Sequence, residues 1–311
     1  MPNSDRSAYR DGDDAAPIDY LQRVRDYYAA LGYGAPYRWA RSVDVPFVRL
    51  RGPLAASRVA IVTTAAQRQP GQDGPGPAQA YNAAAKFFAV YSADAGHDDH
   101  DLRIDHVAID TVHTTGADVG SFLPLAALRR AHAAGRIGSL AARFHGVPTN
   151  RSQQTTREVH APELVARCRA DRVDAAILVA NCPVCHQTMA LVATALEASG
   201  IASVVLGCAK DIVEHVGVPR FVFSDFPLGN AAGRPHDAAS QDTTLALALD
   251  LLEAAPAART TVRSPLRWSA NTDWKLDYCN AARLTPGEIA RRRAAFDTAK
   301  AQAKALREQC P

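Results

Sequence analysis

Two cysteines three residues apart are the side chains in this sequence whose chemistry is easiest to specify. Cys182 and Cys185 are the first and last residues of the motif Cys-Pro-Val-Cys. This motif follows the apolar run 174–180 and precedes a segment with helical spacing. A thiol at a helix N-terminus meets free backbone N–H groups and the positive end of the helix dipole, and both favour the thiolate. We therefore expect the pKa of Cys182 to lie below that of a free thiol. Cys182 is the predicted nucleophile, and Cys185 is the predicted resolving thiol.

Two other interpretations of this pair remain open. A closed zinc site needs four ligands, and the sequence has no second Cys-x-x-Cys motif. His186, Cys208 or Cys279 could complete such a site only through the fold. The pair could also be two buried thiols without a function, since unpaired cysteine is commonly a core residue. A metal-binding or redox-sensing module is therefore the alternative to a catalytic pair, and no metal ligand is predicted outright.

Further candidates come from the residues around this motif and at the ends of predicted strands. His186 follows Cys185, and it either moves a proton in the same cleft or covers a surface. The segment 97–100, His-Asp-Asp-His, is interpreted as solvated charge rather than as a metal cluster. His145, in a predicted loop beside Gly146, is a candidate comparable to His113. Because ligands bind beyond the carboxyl ends of parallel strands, the predicted substrate-binding residues are Thr63, Thr64, His113 and Asn181, with Asp225 added from a turn described below.

The elements that position these residues follow an alternating rhythm of short apolar runs and helical segments. This rhythm predicts an α/β fold, with a parallel-sheet core of Rossmann-like βαβ units and right-handed crossovers. Predicted strands lie at 58–64, 104–109, 174–180, 202–206 and 220–223, and predicted helices at 19–31, 124–134, 161–170, 184–199, 210–215 and 241–254. Glycines follow several predicted helices, where C-terminal caps belong.

Segments between and beyond these elements complete the predicted organisation. We expect an extended arm at 32–53, a loop at 67–79, an irregular segment at 256–280 and a solvated helix from about 285 to 308. That helix should begin at a capping box of Thr285 and Glu288. The predicted domains are an N-terminal helix and arm (1–56), an α/β core (57–255) and a C-terminal segment (256–311). A division of the core into lobes 57–160 and 161–255 is an alternative.

Composition excludes several classes of protein. The 311 residues are 47% hydrophobic, which is enough for a sizeable core, and the net charge of +3 does not indicate a nucleic-acid binder. No apolar run approaches the length of a membrane span, and residues 1–14 lack the apolar stretch of a secretory signal. We expect a cytoplasmic protein. No glycine-rich dinucleotide motif, Walker loop or GxSxG motif is present, so no cofactor is predicted.

Several segments together resemble a known family. The segment 174–185 (DAAILVANCPVC) and the segment 197–201 (EASGI) resemble the selenoprotein B subunits of glycine, sarcosine, betaine and D-proline reductases. In those subunits a strand ends in selenocysteine-x-x-cysteine and is followed by a helix and a glycine turn. The resemblance spans roughly residues 20–255 and also includes Pro46-Phe47, Pro53-Leu54-Ala55, the segment 122–125, the segment 138–141, Val218-Pro219-Arg220 and the turn 226–230.

The resemblance implies a function and partners. Cys182 falls at the selenocysteine position and Cys185 at that of its partner cysteine. This implies a thiol-dependent oxidoreductase that cleaves a small substrate reductively, with a thioredoxin-like electron donor. Partner subunits, or further copies of the chain, are also implied, as is a subunit active only in a larger complex. Asp225 precedes the family's turn and either orients a ligand or caps that turn.

The sequence also departs from this family. Cysteine replaces selenocysteine, and Ala65 and Ala66 stand where the family has glycines. In the family a pyruvoyl group on partner chains activates the substrate, and nothing in this sequence indicates self-cleavage that would form one. A different substrate with an intrinsically good leaving group is therefore an alternative.

Overall fold

The computed structural model describes residues 16–33, 37–67, 89–104, 109–149 and 151–309. It shows a mixed α/β fold with a mostly parallel central sheet, as predicted. The strands are β1 (Arg58–Thr63), β2 (Ala66–Gln67), β3 (Tyr91–Asp94), β4 (Leu102–Arg103), β5 (Ser139–Leu140), β6 (Arg143–Gly146), β7 (Ala175–Val179), β8 (Ala202–Gly207), β9 (Arg220–Phe223) and β10 (Thr260–Arg263).

The central sheet has the strand order β10-β9-β8-β7-β1-β6-β3, and β5 pairs with the start of β1. All of these pairs are parallel except that of β3 with β6. Residues Val59–Thr63 run beside Ala175–Val179, which in turn run beside Ala202–Leu206. The carboxyl ends of β1, β7 and β8 therefore meet at one edge, where α/β proteins place their ligands.

Seven α-helices of at least seven residues lie in the described part of the chain. They are α1 (Tyr20–Ala30), α2 (Leu125–Ala133), α3 (Ala161–Ala170), α4 (Pro183–Ala198), α5 (Lys210–Val216), α6 (Ala238–Ala254) and α7 (Pro286–Gln309). Shorter helical turns directly precede α3 and lie at Leu54–Ala56, Val119–Ser121, Asp273–Leu276 and Ala281–Arg283. The long helix α4 packs against β8, and α6 packs against β8 and β9.

Local sequence explains where these elements form and end. Every residue of β7 and β8 is buried, as the continuous apolar runs predict for inner strands of a parallel sheet. Gly135 and Gly200 follow α2 and α4 with positive φ angles of +72° and +88°, where a side chain would be strained. At the start of α7, Glu288 accepts from the Thr285 backbone N–H at 2.9 Å and donates its own N–H to Thr285 Oγ1 at 3.3 Å. The predicted capping box is confirmed.

Most of the predicted elements are confirmed; one prediction needs correction, and two lie largely outside the described residues. The segment 256–280, predicted to be irregular, contains β10, which extends the central sheet at its edge. The strands β3 and β6 were not predicted. The predicted strand at 104–109 and the predicted loop at 67–79 lie largely outside the described residues. The domain boundaries stay a prediction.

A buried ion pair fastens the extended arm to the sheet. The side chains of Glu197 and Arg220 are both almost fully buried, and their Oε1 and Nη1 atoms lie 2.7 Å apart. Arg220 also donates to the Val48 carbonyl at 2.6 Å, and its guanidinium lies 4.2 Å from the ring centre of Phe47. Glu197 accepts from the Val48 backbone N–H. The arm is thus held by two charges that have no contact with bulk water.

No helix in the ranges that the structure describes combines the length and the apolar character needed to cross a membrane.

Candidate functional site

The Cys-Pro-Val-Cys motif lies at the junction of β7 and α4. Cys182 is the N-cap residue of α4, with extended backbone angles, and Pro183 is the first residue of the helix. Proline suits this position because its missing N–H would have no helical partner. Cys182 Sγ accepts a hydrogen bond from the Cys185 backbone N–H at 3.3 Å. The sulfur therefore takes the place that a serine or aspartate oxygen occupies in an ordinary N-cap.

Cys185 lies one turn further along the same helix end. Its thiol contacts Thr149 Oγ1 at 3.1 Å, and a hydrogen bond between the two cysteine side chains affects the pKa of Cys182. The structure thus brings the two predicted thiols together. Both cysteines are reduced in the structure and buried, at 3% and 0% exposure.

The expected lowering of the pKa of Cys182 is wrong. Burial raises the pKa of Cys182 well above its ordinary value, and the neighbouring Cys185 thiol raises it further. Hydrogen bonds from the backbone N–H groups of Cys185 and Val184 act in the opposite direction. The helix N-terminus does supply the predicted donors, but the loss of hydration outweighs them. Cys182 is a neutral thiol in this structure.

His186 has backbone partners for both ring nitrogens. Nδ1 lies 2.7 Å from the Cys182 carbonyl oxygen, and Nε2 accepts from the backbone N–H groups of Cys208 at 2.8 Å and Ala209 at 3.1 Å. The two N–H donors fix the proton on Nδ1, which therefore donates to Cys182. A methyl group at Gly207 would lie 2.6 Å from the ring, so only glycine fits there. This geometry favours a positioning role for His186 over the predicted proton transfer, because neither nitrogen is free to exchange a proton with a substrate.

The buried histidines make stability depend on pH. Burial lowers the pKa of His186 to about 4 and that of His145 to about 4, below the ordinary value of 6.5. As the pH falls from about 6.5 towards 4, these histidines become protonated in the unfolded chain but stay neutral in the folded chain. The free energy of unfolding should therefore fall, by up to about 1.4 kcal/mol per pH unit for each histidine. Urea unfolding at pH 7.5, 6.0 and 5.0 tests this. The slope should be shallower in His186→Gln, and equal slopes would contradict the prediction.

The predicted residues at the ends of β1 and β7 form a buried polar contact. The Asn181 backbone N–H and side-chain amide both donate to Thr64 Oγ1, at 3.2 and 3.0 Å. Asn181 Oδ1 is buried and has no hydrogen-bond partner among the described residues. Thr63 instead donates to the Phe122 carbonyl at 2.9 Å. Thr64 and Asn181 are thus brought together beside the motif, whereas Thr63 is tied into the core; a substrate contact for any of the three stays a prediction.

His113 lies in a second group of polar residues. Its Nε2 atom is 2.9 Å from Asp277 Oδ2, and its backbone N–H donates to Asp110 Oδ1 at 3.1 Å. Asp277 also pairs with Arg283. Burial raises the pKa of Asp110, while the hydrogen bond from the His113 N–H opposes that shift. The predicted role of His113 in substrate binding stays a prediction, and Asp110 is a charged neighbour that the sequence analysis missed.

Asp225 lies in an ion-pair cluster. Its Oδ2 atom is 2.6 Å from Lys275 Nζ and 2.9 Å from Arg263 Nη2. Lys275 also donates to the Ala16 carbonyl at 2.8 Å. These contacts tie the loop after β9 to the C-terminal segment and to the N-terminal segment. Asp225 thus has a structural role through these ion pairs, in place of the predicted turn cap. Its other predicted role, binding a ligand, stays a prediction.

A cavity of about 310 Å³ opens beside the helix end that carries the two thiols. Pro183 and Val184 form part of its wall, and aromatic rings from α1 and the arm form much of the rest. Tyr28 and Tyr278 both line the cavity and both interact electrostatically with Cys182. Further polar and aromatic side chains in its wall are those of Tyr27, Tyr37, Trp39, Asp110, Arg151, Asp277, Cys279 and Arg292.

Sequence reasoning missed several of these residues for identifiable reasons. Asp110 directly follows the predicted strand 104–109, so the rule that selected His113 would also have selected it. Thr149 follows the unpredicted strand β6 and therefore gave no signal. Arg151 and Cys279 reach the cavity from segments that are distant from the motif in sequence.

The remaining histidine candidates have structural partners. His97 and His100 stack on each other with ring centres 4.3 Å apart, and Asp98 pairs with Arg129, in line with the interpretation as surface charge. His145 Nδ1 contacts Ser92 Oγ at 2.9 Å. Within the described ranges, no three or more His, Cys, Asp or Glu side chains come together in a way that could hold a metal ion.

Comparison with known proteins finds similarity to a subunit of a reductase. The chain is 28% identical over 192 residues to the D-proline reductase subunit gamma of Acetoanaerobium sticklandii, which covers 61% of this chain and 78% of that subunit. No protein-family model matches the chain. No solved structure matches it either. Over these 192 residues the chain is similar to a subunit of a D-proline reductase, and this similarity supports a reductase-related role.

Proposed function

We propose that this chain is a thiol-dependent reductase subunit that cleaves a bond in a small amine substrate. The observation that carries the proposal is the geometry of the motif. The Cys182 sulfur is held by a backbone N–H at a helix N-terminus, the Cys185 thiol contacts it, and a cavity opens beside the pair. Two adjacent thiols can supply the two electrons of a reductive cleavage and finish as a disulfide.

The proposed reaction balances in three steps. The Cys182 thiolate attacks a carbon that carries the leaving amine, so that a C–S bond forms, the C–N bond breaks and the amine takes a proton. The Cys185 thiolate then attacks the Cys182 sulfur. The S–S bond forms, the C–S bond breaks and the carbon takes a proton. A thioredoxin-like dithiol finally reduces the disulfide and becomes oxidised itself.

The raised pKa of Cys182 determines when this chemistry can start. Burial keeps the thiol neutral at rest, yet the N–H groups of Val184 and Cys185 already point at the sulfur. A substrate that places positive charge in the cavity would favour the thiolate. We therefore infer that Cys182 ionises when substrate binds, and that the closed site protects it from adventitious oxidation beforehand.

The relative supports the assignment of substrate and partners. That protein is named as a subunit of D-proline reductase, so D-proline is the first substrate to test and other subunits are expected partners. The contact of His186 with the Cys182 carbonyl suits a residue that positions the motif. Thr64, Asn181 and His113 are proposed as polar neighbours of the bound substrate.

Disulfide mapping tests the proposal without requiring the partner subunits. Oxidation of the purified chain with diamide should produce a Cys182–Cys185 disulfide, identified by peptide mass spectrometry. Thioredoxin should then reduce that disulfide. Cys168, which is also buried, is the matched thiol and should remain reduced. Failure of the two motif cysteines to pair, or zinc bound through both of them in protein purified without added metal, would favour the metal-binding alternative.

A further inference from the structure

The cavity beside the motif contains a buried carboxyl group that lacks a complete set of partners. Asp110 is 2% exposed and lines the cavity wall. Its Oδ1 atom accepts from the backbone N–H groups of Val112 and His113, each at 3.1 Å. Its Oδ2 atom is buried and has no hydrogen-bond partner in the part of the chain that the structure describes. Burying a carboxylate oxygen costs free energy unless it accepts a hydrogen bond. We therefore expect a ligand to donate a hydrogen bond to Asp110 Oδ2.

The same cavity contains a cation without an anionic partner. The guanidinium carbon of Arg151 lies 5.3 Å from the ring centre of Tyr28 and 5.1 Å from that of Tyr37. No carboxylate among the described residues forms an ion pair with it. The cavity's second carboxylate, Asp277, is already engaged by His113 and Arg283. The two tyrosine rings hold the guanidinium by cation–π contacts and leave its N–H donors for a ligand.

The other cation of the cavity already has a local partner. Arg292 Nη1 donates to the Tyr27 hydroxyl at 2.7 Å. Among the charged groups of the cavity, Asp110 Oδ2 and the Arg151 guanidinium are therefore the two for which the described residues supply no hydrogen-bond or ion-pair partner. Aromatic side chains, including Trp39 and Tyr278, form the wall of the cavity.

We propose that Asp110 and Arg151 bind the opposite charges of a zwitterionic substrate, with its ammonium group at Asp110 Oδ2 and its carboxylate at Arg151. The inference deepens the proposed function and rests on it for the identity of the site. A volume of about 310 Å³ is at the small end for ligand pockets, which suits an amino acid better than a nucleotide. The aromatic walls would then contact the carbon skeleton between the two charged ends.

Binding measurements with three probes separate the two contacts. D-proline carries both charges, D-prolinamide lacks the carboxylate, and tetrahydrofuran-2-carboxylate lacks the amine. By calorimetry, the wild-type chain should bind D-proline at least tenfold more tightly than either analogue, because each analogue leaves one buried or stacked charge without its partner.

Two substitutions should each remove the preference of the protein for D-proline over a different analogue. Asp110→Asn should weaken D-proline binding at least tenfold and remove its advantage over tetrahydrofuran-2-carboxylate. Arg151→Gln should also weaken D-proline binding, and it should remove the advantage over D-prolinamide. Arg130→Gln, at an exposed arginine paired with Asp242, is the matched control and should bind as the wild type does.

Several outcomes would overturn the inference. These are equal binding of all three probes by the wild type, no binding of D-proline at millimolar concentration, and unchanged selectivity in both variants. If Asp110→Asn does not fold, the wild-type selectivity and the Arg151→Gln variant still test the inference. Arg151 is exposed, so its substitution should not prevent folding.

A third variant separates this inference from the proposed function. Cys182→Ala should bind D-proline within about threefold of wild type. If the selectivity among the three probes is as expected while Cys182→Ala retains reductase activity, the proposed thiol chemistry is wrong and the proposed binding site is supported. If activity requires Cys182 but selectivity does not depend on Asp110 or Arg151, only the present inference fails.

Discussion

Replacing Cys182 by alanine is expected to reduce the rate of D-proline reduction by at least about 10³-fold, because removal of a nucleophile leaves only the contribution of binding to catalysis. The measurement is D-proline consumed with dithiothreitol as reductant, in the chain isolated from its native host together with any subunits that accompany it. The substitution removes the sulfur that accepts the Cys185 N–H, but it adds no volume to a buried site.

Cys185→Ala should produce a different failure from that of Cys182→Ala. The first step can still occur, so turnover should stop with the substrate attached to Cys182, and mass spectrometry of the intact protein should show the added mass. Cys168→Ala removes another buried thiol, located in α3, and should leave the rate unchanged. Full activity in both motif variants would contradict the mechanism, whereas an adduct on Cys185 in the wild type would reverse the two roles.

Glu197→Ala is expected to destabilise the protein by about 3–5 kcal/mol, because it leaves the Arg220 charge buried and unpaired. The substitution also removes the carboxylate oxygens that accept hydrogen bonds from the backbone N–H groups of Val48 and Ser203. Urea unfolding at pH 7.5 measures the effect. Burial raises the pKa of Glu197 and lowers that of Arg220, with attraction between the two opposing both shifts. The cost of burying these charges is therefore large, and each charge depends on the other.

Two comparisons isolate the charge as the cause of the Glu197→Ala effect. Glu163→Ala breaks the half-exposed pair with Arg167 in α3 and should change stability by at most about 0.5 kcal/mol. Replacing both buried partners, as Glu197→Leu with Arg220→Met, should recover a large part of the loss because no charge then remains buried. A double variant as unstable as Glu197→Ala would mean that the hydrogen bonds to the arm, rather than the charge, dominate.

The sequence was sufficient to predict the inner part of the fold because its signals are local. The apolar run before the motif and Gly200 after α4 define β7 and α4 to within two residues. The strands β6 and β10 were missed because Arg-Phe-His-Gly and Thr-Thr-Val-Arg are short and partly polar. Such sequences become strands because a neighbouring strand offers its hydrogen bonds, and this is a property of the assembled sheet.

The candidate site shows the same division between local and assembled properties. The positions of Cys182 and Cys185 followed from the motif, since an N-cap and the next turn are adjacent in any helix. The direction of the pKa shift did not follow, because it depends on the burial of Cys182, which only the assembled fold produces. The partners of His186 and the position of Arg151 likewise required the tertiary structure.

The walls of the cavity have a consequence for the order in which the protein matures. Tyr33 beyond α1 stacks on Phe296 of α7 at 4.0 Å, and both line the cavity. The central sheet is complete once β10 has formed, but this wall needs residues that the ribosome adds some 30 positions later. Because Cys182 and Cys185 lie between β7 and α4, well before Phe296 in the chain, this wall of the cavity is built after the elements that hold the two thiols.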